Sequence, residues 1–519
     1  MSITQGVKRN VQQNCDGNAT TFGSRTQSWG QFQDRVARLA GGLKSLGVAP
    51  GDRVAILALN SDRYLEYFVA VPWAGAVLVP LNIRWSVAEN VYSLNDSGAV
   101  VLLVDDAFSK MAAPILAESK SIRAVIHIGD ATAPAEMIGY ERLIERSAPV
   151  ADAGRGGEDL AGIFYTGGTT GFPKGVMLPH RGLWASAAAL VGSVAIRHDS
   201  IYLHAAPMFH LADGAMTMAT LLAGSSHVMI PAFNPEHVLA AIERHRVSHI
   251  LLVPTMINMV VSHPKLAQSD LSSLQQLLYG ASPIPEALLI QAMRAMPKCR
   301  FTQAYGQTEL SPVATILTSD YHTIEGTKAG RLKSAGRAAI CNEIEIVDVN
   351  GVEVPRGTVG EVRARGPNTM LGYWNKPKET AAALRDGWVY TGDAAYMDDE
   401  GFIYVVDRVK DMIVSGGENV YSAEVENAVT KHPAVAQCAV IGVPSDTWGE
   451  AVHAIVILKE AQRVAAEAII AHCHTLIAGY KCPRSIEFRT EPMPLSGAGK
   501  VLKRELRKPY WEGKTRQVN

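Results

Sequence analysis

The sequence predicts an α/β protein: a large N-terminal domain of layered αβ sheets plus a β subdomain, followed by a small α+β C-terminal domain. Three observations predict this architecture. Helical and strand patterns alternate through the N-terminal part of the chain. From about Ile340, short alternating strands are separated by Gly-containing turns. After Arg408, helices and strands mix again over about a hundred residues, a normal domain size.

The alternation is clear near the N-terminus. Ser28 and Gln31 have the spacing of a capping box before a helix that Gly47 ends. The apolar stretch 68–81 is too short to cross a bilayer, and we interpret it as a buried helix, over 64–71, passing into a strand. Buried strands are predicted at 54–58, 76–80, 100–104, 124–128, 249–253 and 276–279.

The C-terminal third has a different texture. Strands over 343–347, 360–365 and 401–406 predict an antiparallel β subdomain. The mixed unit that follows is predicted to contain helices at 423–431 and 464–476 and strands at 437–442 and 451–458. We place the boundary between Arg408 and Asp411, which gives an N-terminal domain over 1–409 and a C-terminal domain over 410–519.

Composition excludes several classes of protein. Of the 519 residues, 47% are hydrophobic and 19% charged, which is typical of a globular chain and not of a disordered one. The 49 Lys and Arg nearly cancel the 50 Asp and Glu, so no electrostatic reason exists to bind nucleic acid or an anionic membrane. The N-terminus shows no apolar signal segment and the six cysteines are scattered, so we expect a soluble cytoplasmic protein with reduced thiols. Oligomeric state stays open, with a homodimer as one option.

One loop is rich in glycine, threonine and lysine. The segment 165–175 reads YTGGTTGFPKG. Glycines let backbone N–H groups turn toward an anion, threonine hydroxyls add donors, and Lys174 adds a positive charge, so the loop suits a polyphosphate. It is not a Walker A sequence, because Pro173 precedes the lysine and no Ser or Thr follows it. Composition alone would also fit a flexible Gly/Thr turn.

This loop resembles the signature of the adenylate-forming superfamily, which contains acyl- and aryl-CoA synthetases, luciferases and peptide-synthetase adenylation domains. Four more segments resemble the family motifs in the family order. They are QAYGQTE at 303–309, YTGD at 390–393, DRVKD at 407–411 and PLSGAGK at 494–500. The resemblance runs from about Phe22 to Arg507.

The resemblance implies a two-step reaction with ATP, Mg²⁺ and coenzyme A. A carboxylate attacks the α-phosphate of ATP to give an acyl adenylate, and a thiol then displaces AMP. Glu309 would bind Mg²⁺ and Thr308 would contact the α-phosphate. The other implied nucleotide-binding residues are Thr166, Gly167, Gly168, Thr169, Thr170, Gly171 and Lys174 for the phosphates, Gly280, Ala281, Ser282, Tyr305 and Gly306 for adenine, and Asp393 and Arg408 for the ribose.

The C-terminal domain is mobile in the family. Lys500 would reach the carboxylate and α-phosphate oxygens during adenylation, and Lys410 would be the hinge about which the domain rotates. After rotation Gly416 and Gly417 would border the tunnel for the pantetheine arm of CoA. Arg84, Trp448 and Tyr480 would contact the CoA nucleotide, where Cys482 occupies a position at which an arginine is expected.

The segment PMFH at 207–210 resembles the family segment in which an aromatic residue or a histidine gates the carboxylate site. His210 would gate the carboxylate site; a hydrogen-bonded core histidine is the alternative. Phe209, Met218 and Ala304 predict an apolar pocket for an alkyl chain or an aromatic ring. Asp213 is the one acidic residue of this stretch, and we interpret it as a helix cap or as a contact to a polar substrate group.

The sequence therefore predicts an ATP-dependent carboxylic acid–CoA ligase acting on a fatty or aromatic acid, without nucleic-acid partner or integral membrane segment. One alternative is an enzyme that adenylates the acid and then transfers the acyl group to the thiol of a separate carrier protein. A light-emitting oxygenase and a nonenzymatic nucleotide-binding scaffold are further alternatives. A nonenzymatic scaffold would be expected to have lost the residues of the catalytic motifs, which are all present in this sequence.

Overall fold

A computed structural model describes residues 1–167, 173–408, 411–416, 418–495 and 501–512. The strands are β1 (Asn18–Phe22), β2 (Arg25–Ser28), β3 (Arg53–Leu57), β4 (Val77–Pro80), β5 (Ala99–Val104), β6 (Ala124–His127), β7 (Ile138–Gly139), β8 (Leu160–Thr166), β9 (Lys174–Pro179), β10 (Ile201–His204), β11 (Ser226–Met229), β12 (His249–Leu252), β13 (Gln276–Gly280), β14 (Arg300–Gly306), β15 (Val313–Leu317), β16 (Arg337–Ala338), β17 (Glu343–Val347), β18 (Gly360–Arg365), β19 (Gly372–Tyr373), β20 (Leu384–Arg385), β21 (Trp388–Met397), β22 (Ile403–Arg408), β23 (Ile413–Ser415), β24 (Glu418–Val420), β25 (Val435–Ser445), β26 (Gly449–Leu458) and β27 (Ser485–Phe488). The helices are α1 (Gln5–Asn14), α2 (Trp29–Ser45), α3 (Asp62–Trp73), α4 (Val87–Ser97), α5 (Ser109–Glu118), α6 (Tyr140–Arg146), α7 (His180–Ser193), α8 (Leu211–Ala223), α9 (Pro235–His245), α10 (Pro254–Val261), α11 (Glu286–Ala295), α12 (Pro377–Ala383), α13 (Ser422–Thr430), α14 (Ala466–His474) and α15 (Lys503–Trp511).

Two large mixed sheets form the N-terminal layers. One has the order β16-β15-β14-β13-β12-β10-β11-β1-β2, and the other has the order β19-β9-β8-β4-β3-β5-β6-β7. Strands of both sheets and helices α2, α3, α7 and α8 contribute to one continuous hydrophobic core. A second core lies on the other face of the β3–β5 region, under α4 and α5. The layered α/β fold that the alternation predicts is therefore confirmed.

Two sequence signals, a capping box and an apolar stretch, correspond to elements of these layers. The Ser28 side chain accepts a hydrogen bond from the backbone N–H of Gln31, and the Gln31 side chain accepts one from the N–H of Ser28, so the capping box is confirmed. The predicted helix and strand of the stretch 68–81 are α3 and β4, and both are buried. Its apolar character thus reflects the interior of the protein.

The β subdomain is a five-stranded sheet of order β17-β18-β21-β20, with β22 paired to β21. Strands 343–347 and 360–365 have the predicted bounds, whereas the third lies at Ile403–Arg408, two residues later than predicted. The β21–β22 register places Asp393 opposite Arg408. This register brings two predicted ribose ligands together.

The C-terminal region has a sheet of its own, β24-β23-β26-β25 with β27 on β26, and a core built from these strands and α13 and α14. The predicted domain boundary falls at residues 409 and 410, outside the described residues. Among the helices of the described ranges, none has the length and apolar character that a membrane crossing requires.

Candidate active site

A β hairpin carries the predicted phosphate loop. Strands β8 and β9 pair antiparallel with Thr166 opposite Lys174, so the two residues flank the loop. A side chain at Gly167 would meet nothing within 4 Å, which leaves open space beside the backbone there. The predicted ligands Gly168, Thr169, Thr170 and Gly171 lie outside the described residues.

The predicted adenine residues lie at the ends of two paired strands. Gly280 ends β13 opposite Ala304 of β14, and a Cβ on Gly280 would lie 2.1 Å from the Ala304 carbonyl oxygen. Ala281, which continues to Ser282, has a φ of +64°, a left-handed conformation that costs free energy in a residue with a side chain. A Cβ on Gly306 would lie 1.9 Å from the Pro312 carbonyl oxygen. Close backbone approach therefore requires both glycines.

A polar cluster connects this strand with the β subdomain. The Tyr305 hydroxyl donates to Asp393 Oδ2 at 2.7 Å, and Arg408 Nε lies 3.1 Å from Asp393 Oδ1. Desolvation of the Tyr305 phenol, with the adjacent Asp393 charge, raises the pKa of Tyr305 well above its usual range, so this group stays a donor. Asp393 is buried, whereas the Arg408 side chain is 41% exposed. The predicted ribose-binding pair is thus joined by the predicted adenine-binding tyrosine.

A second cluster contains the predicted magnesium ligand. Glu309 lies with Thr308 on the 3₁₀ turn Thr308–Leu310 after β14. Its Oε1 accepts a hydrogen bond from the Tyr373 hydroxyl at 2.7 Å, and the Lys174 ammonium lies 4.4 Å from the centroid of the Tyr373 ring. Sequence reasoning missed Tyr373, because its strand β19 has only two residues and no motif pattern marks it.

Glu309 fits a Mg²⁺ site, since a hard cation takes one or two carboxylates together with phosphate oxygens. Within the described ranges, no group of three or more His, Cys, Asp or Glu side chains is placed to hold a metal ion. A metal at Glu309 would thus need oxygen ligands from the nucleotide or from water.

The predicted acyl end surrounds the start of α8. His210 is the N-cap of this helix, and its Nδ1 accepts a hydrogen bond from the Ala212 N–H at 3.1 Å. Phe209 and Met218 are buried and belong to the main core, and Ala304 is half-buried against it. The surroundings of these side chains are apolar.

Asp213 requires a correction. The helix cap is His210, and both Asp213 carboxylate oxygens accept hydrogen bonds in the interior, from the Tyr202 hydroxyl at 2.8 Å and from His204 Nδ1 at 2.6 Å. His204 Nε2 lies 2.9 Å from His227 Nδ1, and all four residues are fully buried. Asp213 is therefore neither the cap nor open to a substrate group; it belongs to a buried polar network that the sequence spacing does not show.

Two of the predicted CoA residues, Gly416 and Trp448, lie next to the paired strands β23 and β26 of the C-terminal sheet. The Gly416 N–H donates to the Trp448 carbonyl at 2.9 Å, and a Cβ on Gly416 would lie 2.7 Å from the Trp448 ring. Trp448 and Tyr480 are exposed, and the Arg484 guanidinium lies 5.2 Å from the Trp448 ring centroid. Arg84 is exposed between β4 and α4. Lys410, Gly417 and Lys500 lie outside the described residues.

Cys482 is buried in the C-terminal core and does not present a polar group at the surface. Arg484, two residues later, instead supplies a cation beside Trp448. The basic character of the KCPR segment at 481–484 is the sequence signal that marks this residue.

Comparison with known proteins shows the family to which the chain belongs. The family model described as AMP-binding enzyme matches residues 7–374, and the model for the AMP-binding enzyme C-terminal domain matches residues 424–500. The chain belongs to the AMP-binding enzyme family. Within this family it is an acid–thiol ligase of the acyl- and aryl-CoA synthetase group.

Relatives of this AMP-binding enzyme cover nearly its whole length. It is 40% identical over 494 residues to a feruloyl-CoA synthase of Amycolatopsis sp, covering 95% of this chain and 96% of the relative. It is 35% identical to the fatty acid–[acyl-carrier-protein] ligase ScoC of Streptomyces coeruleorubidus, covering 95% and 94%. The crystal structure of the anthranilate CoA ligase AuaEII in complex with anthranoyl-AMP matches with a TM-score of 0.91 at 27% identity, covering 99% and 98%.

Proposed function

We propose that this enzyme converts an aromatic carboxylic acid of the hydroxycinnamate type to its CoA thioester, using ATP and Mg²⁺ and passing through an enzyme-bound acyl adenylate. The observation that carries the proposal is the convergence of the Lys174–Tyr373–Glu309 and Tyr305–Asp393–Arg408 clusters, which lie close enough for the Arg408 charge to act on both Tyr373 and Glu309.

In the first step, a carboxylate oxygen attacks the α-phosphorus of ATP and the bond to the β-phosphate breaks, releasing pyrophosphate. The obstacle is repulsion between an anion and a polyanion, which positive charge and oriented donors offset. Lys174 and the Thr166 hydroxyl would bind the β- and γ-phosphates. Glu309 would hold Mg²⁺, which neutralises phosphate charge when bound. Lys500 would approach the oxygens that gain charge during transfer.

The nucleoside would be held by the polar cluster. Asp393 would accept hydrogen bonds from the ribose hydroxyls, with Arg408 beside it, and Tyr305 would stack on adenine. Asp393 already accepts from Tyr305 and pairs with Arg408, so its carboxylate is oriented before the ribose arrives. Orientation in advance reduces the entropy that binding must offset.

In the second step, the CoA sulfur attacks the acyl carbon, the bond from that carbon to AMP breaks, and the thiol proton passes to solvent. We propose a C-terminal domain over 410–519 that rotates at Lys410 between the two steps, presenting Gly416 and Gly417 to the pantetheine arm. Trp448, Tyr480 and Arg484 would contact the CoA nucleotide, with Arg84 on the N-terminal domain.

One observation supports an aromatic acid: the 40% identical relative is a feruloyl-CoA synthase. The residues proposed to line the pocket, Phe209, Met218 and Ala304, are apolar, which suits an aromatic ring or an alkyl chain equally. A second acceptor, the thiol of a carrier protein, is favoured by the similarity to ScoC.

A panel of carboxylic acids tests both points. Cinnamate-type, benzoate-type, short-chain and long-chain acids are each assayed for pyrophosphate release, first alone and then with CoA or a phosphopantetheinyl carrier protein. We expect the highest kcat/KM for a cinnamate-type acid with CoA. Preference for a long-chain acid would contradict the proposed substrate, and activity with the carrier alone would contradict the proposed acceptor.

A further inference from the structure

Tyr373 connects two oppositely charged groups of the phosphate end. Its hydroxyl donates to Glu309 Oε1 at 2.7 Å, and its ring faces the Lys174 ammonium at 4.4 Å from the centroid. In the part of the chain that the structure describes, Lys174 and Glu309 form no direct ion pair with each other. The tyrosine therefore separates two charges that would neutralise each other if they met.

The backbone holds this tyrosine against both partners. Strand β19 pairs with β9, which places Tyr373 opposite Val176 on the strand that begins with Lys174. The Met370 N–H donates to the Glu309 carbonyl at 2.9 Å, so the same segment also fixes the turn that carries Glu309. The Tyr373 N–H donates to Thr380 Oγ1 at 2.9 Å, and the side chain is buried. The position of the ring is thus set independently of any ligand.

We propose that Tyr373 is a positioning residue for the metal–nucleotide complex, fixing the Glu309 carboxylate through its hydroxyl and holding Lys174 through its ring. The proposal rests on the proposed function of this site. A carboxylate has about four lone-pair sites, so one hydrogen bond limits its rotation and leaves oxygen lone pairs for a cation. Groups that orient a ligating carboxylate typically change metal affinity or activity by about 10- to 100-fold when removed.

The ring has a separate task. An ammonium group over an aromatic face is attracted by the ring quadrupole, and a phosphate can still approach from the other side of the nitrogen. Removing only the hydroxyl should therefore affect the metal, whereas removing the ring should also affect the nucleotide. Tyr373→Phe and Tyr373→Leu separate these two tasks.

The experiment measures binding without turnover. Mn²⁺ is titrated by electron paramagnetic resonance in the presence of α,β-methylene-ATP, and binding of the nucleotide without metal is measured by calorimetry. For Tyr373→Phe we expect the Kd of Mn²⁺ to rise about tenfold, with metal-free nucleotide affinity within about twofold of wild type. For Tyr373→Leu we expect both Kd values to rise.

Two controls separate positioning from general loosening. Thr380→Val removes the hydroxyl that accepts from the Tyr373 N–H, and we expect it to leave the Kd of Mn²⁺ unchanged, because the pairing of β19 with β9 still holds the backbone of Tyr373. In a Glu309→Gln background, Tyr373→Phe should have no further effect on Mn²⁺ binding, because the residue acts through Glu309. This double-mutant cycle also tests the role of Tyr373 if Tyr373→Phe lowers the stability of the protein, because a general loss of stability would act in both backgrounds.

Three results would overturn the proposal: a Kd of Mn²⁺ for Tyr373→Phe within twofold of wild type, an equal increase for Thr380→Val, or full additivity with Glu309→Gln. If the wild-type protein bound no nucleotide with Mn²⁺, the proposed function would fail as well, so that outcome is distinct from failure of the tyrosine proposal alone.

Discussion

The proposed nucleotide end and the proposed acyl end of the site use buried polar groups in different ways. At the nucleotide end, Asp393 bonds to Tyr305 and to Arg408, and the Arg408 side chain is 41% exposed. At the acyl end, Asp213 and His204 are 0% exposed, and both Asp213 oxygens are occupied by the protein. The first arrangement can exchange a protein contact for a ligand contact. The second fixes the shape of the wall around α8.

The largest effect is expected at Lys500. Lys500→Ala should lower the rate of adenylate formation by about 10²- to 10³-fold, the range seen when one donor that stabilises developing charge is removed. Formation of the thioester from preformed adenylate and CoA should be spared. Rapid-quench measurement of each half-reaction checks this, and an equal loss in both would contradict the assigned role.

Asp213→Ala tests the buried network at the acyl end. It leaves Tyr202 and His204 without their acceptor, and breaking a buried pair in this way costs about 3 kcal/mol in the free energy of unfolding. We expect this loss in urea unfolding, with the KM for ATP within about twofold of wild type. Asp213→Asn, which keeps one acceptor oxygen, should lose less. Unchanged stability in Asp213→Ala would contradict the structural role.

Asp393→Asn is the matched change at the nucleotide end. A hydrogen bond to a charged group contributes about 1.5–3 kcal/mol, so we expect the KM for ATP to rise at least tenfold while the unfolding midpoint changes little. Glu361→Gln is the control, because Glu361 accepts a hydrogen bond from the Gly392 N–H beside Asp393 and is assigned no contact with the nucleotide. A destabilised Asp393→Asn enzyme with normal KM would remove the contrast between the two ends.

The free energy of unfolding should decrease in acid because of His180, which lies on the helix that packs on α8. His180 begins α7, which packs on α8, and its burial lowers its pKa to about 4. Between pH 6.5 and 4 the unfolded chain binds this proton and the folded protein does not, so the free energy of unfolding falls as the pH falls. His180 should contribute a loss of about 2 kcal/mol between pH 7.5 and 5.

Urea unfolding at the two pH values measures this loss. Between pH 7.5 and 5, the free energy of unfolding of His180→Gln should fall by about 2 kcal/mol less than that of the wild-type protein. The control is His198→Gln at an exposed position. If the pH dependence of His180→Gln equalled that of wild type, the neutral buried histidine would be refuted.

The smallest effect is expected at the proposed CoA contacts. Arg484→Ala removes the cation beside Trp448 and should raise the KM for CoA by about fivefold, the size of a cation–π contact at an exposed site. Steady-state kinetics with CoA as the varied substrate checks this. Lys481→Ala, which loses an ion pair with Glu424, is the control. A KM for CoA that is unchanged in Arg484→Ala would exclude Arg484 from the CoA site.

Much of the nucleotide end could be predicted from the sequence, because its residues lie in short motifs with fixed spacing. Tyr305 and Glu309 share one motif, and the family resemblance assigns Asp393 and Arg408 to one ligand. The β21–β22 register that brings Asp393 and Arg408 together comes from the structure alone, because no strand is predicted over 388–397. Tyr373 could not be predicted, since its role depends on a two-residue strand that pairs with a distant one.

The acyl end was less predictable for a physical reason. Asp213 lies shortly after the segment 207–210, at a position that suits a helix cap. Its hydrogen-bond partners, Tyr202 and His204, instead lie on β10. Only the packing of α8 on that strand determines which role it takes. The apolar residues of the pocket also pack in the core, so their composition does not distinguish an alkyl chain from an aromatic ring.

We expect this enzyme to form an acyl adenylate before it forms a thioester. A single-turnover experiment with α-labelled ATP, Mg²⁺ and a cinnamate-type acid, without CoA, tests it most directly. We predict that acyl-AMP accumulates to about one equivalent per enzyme and that added CoA converts it to acyl-CoA and AMP. Formation of ADP, or of thioester with no adenylate at any time point, would contradict the account.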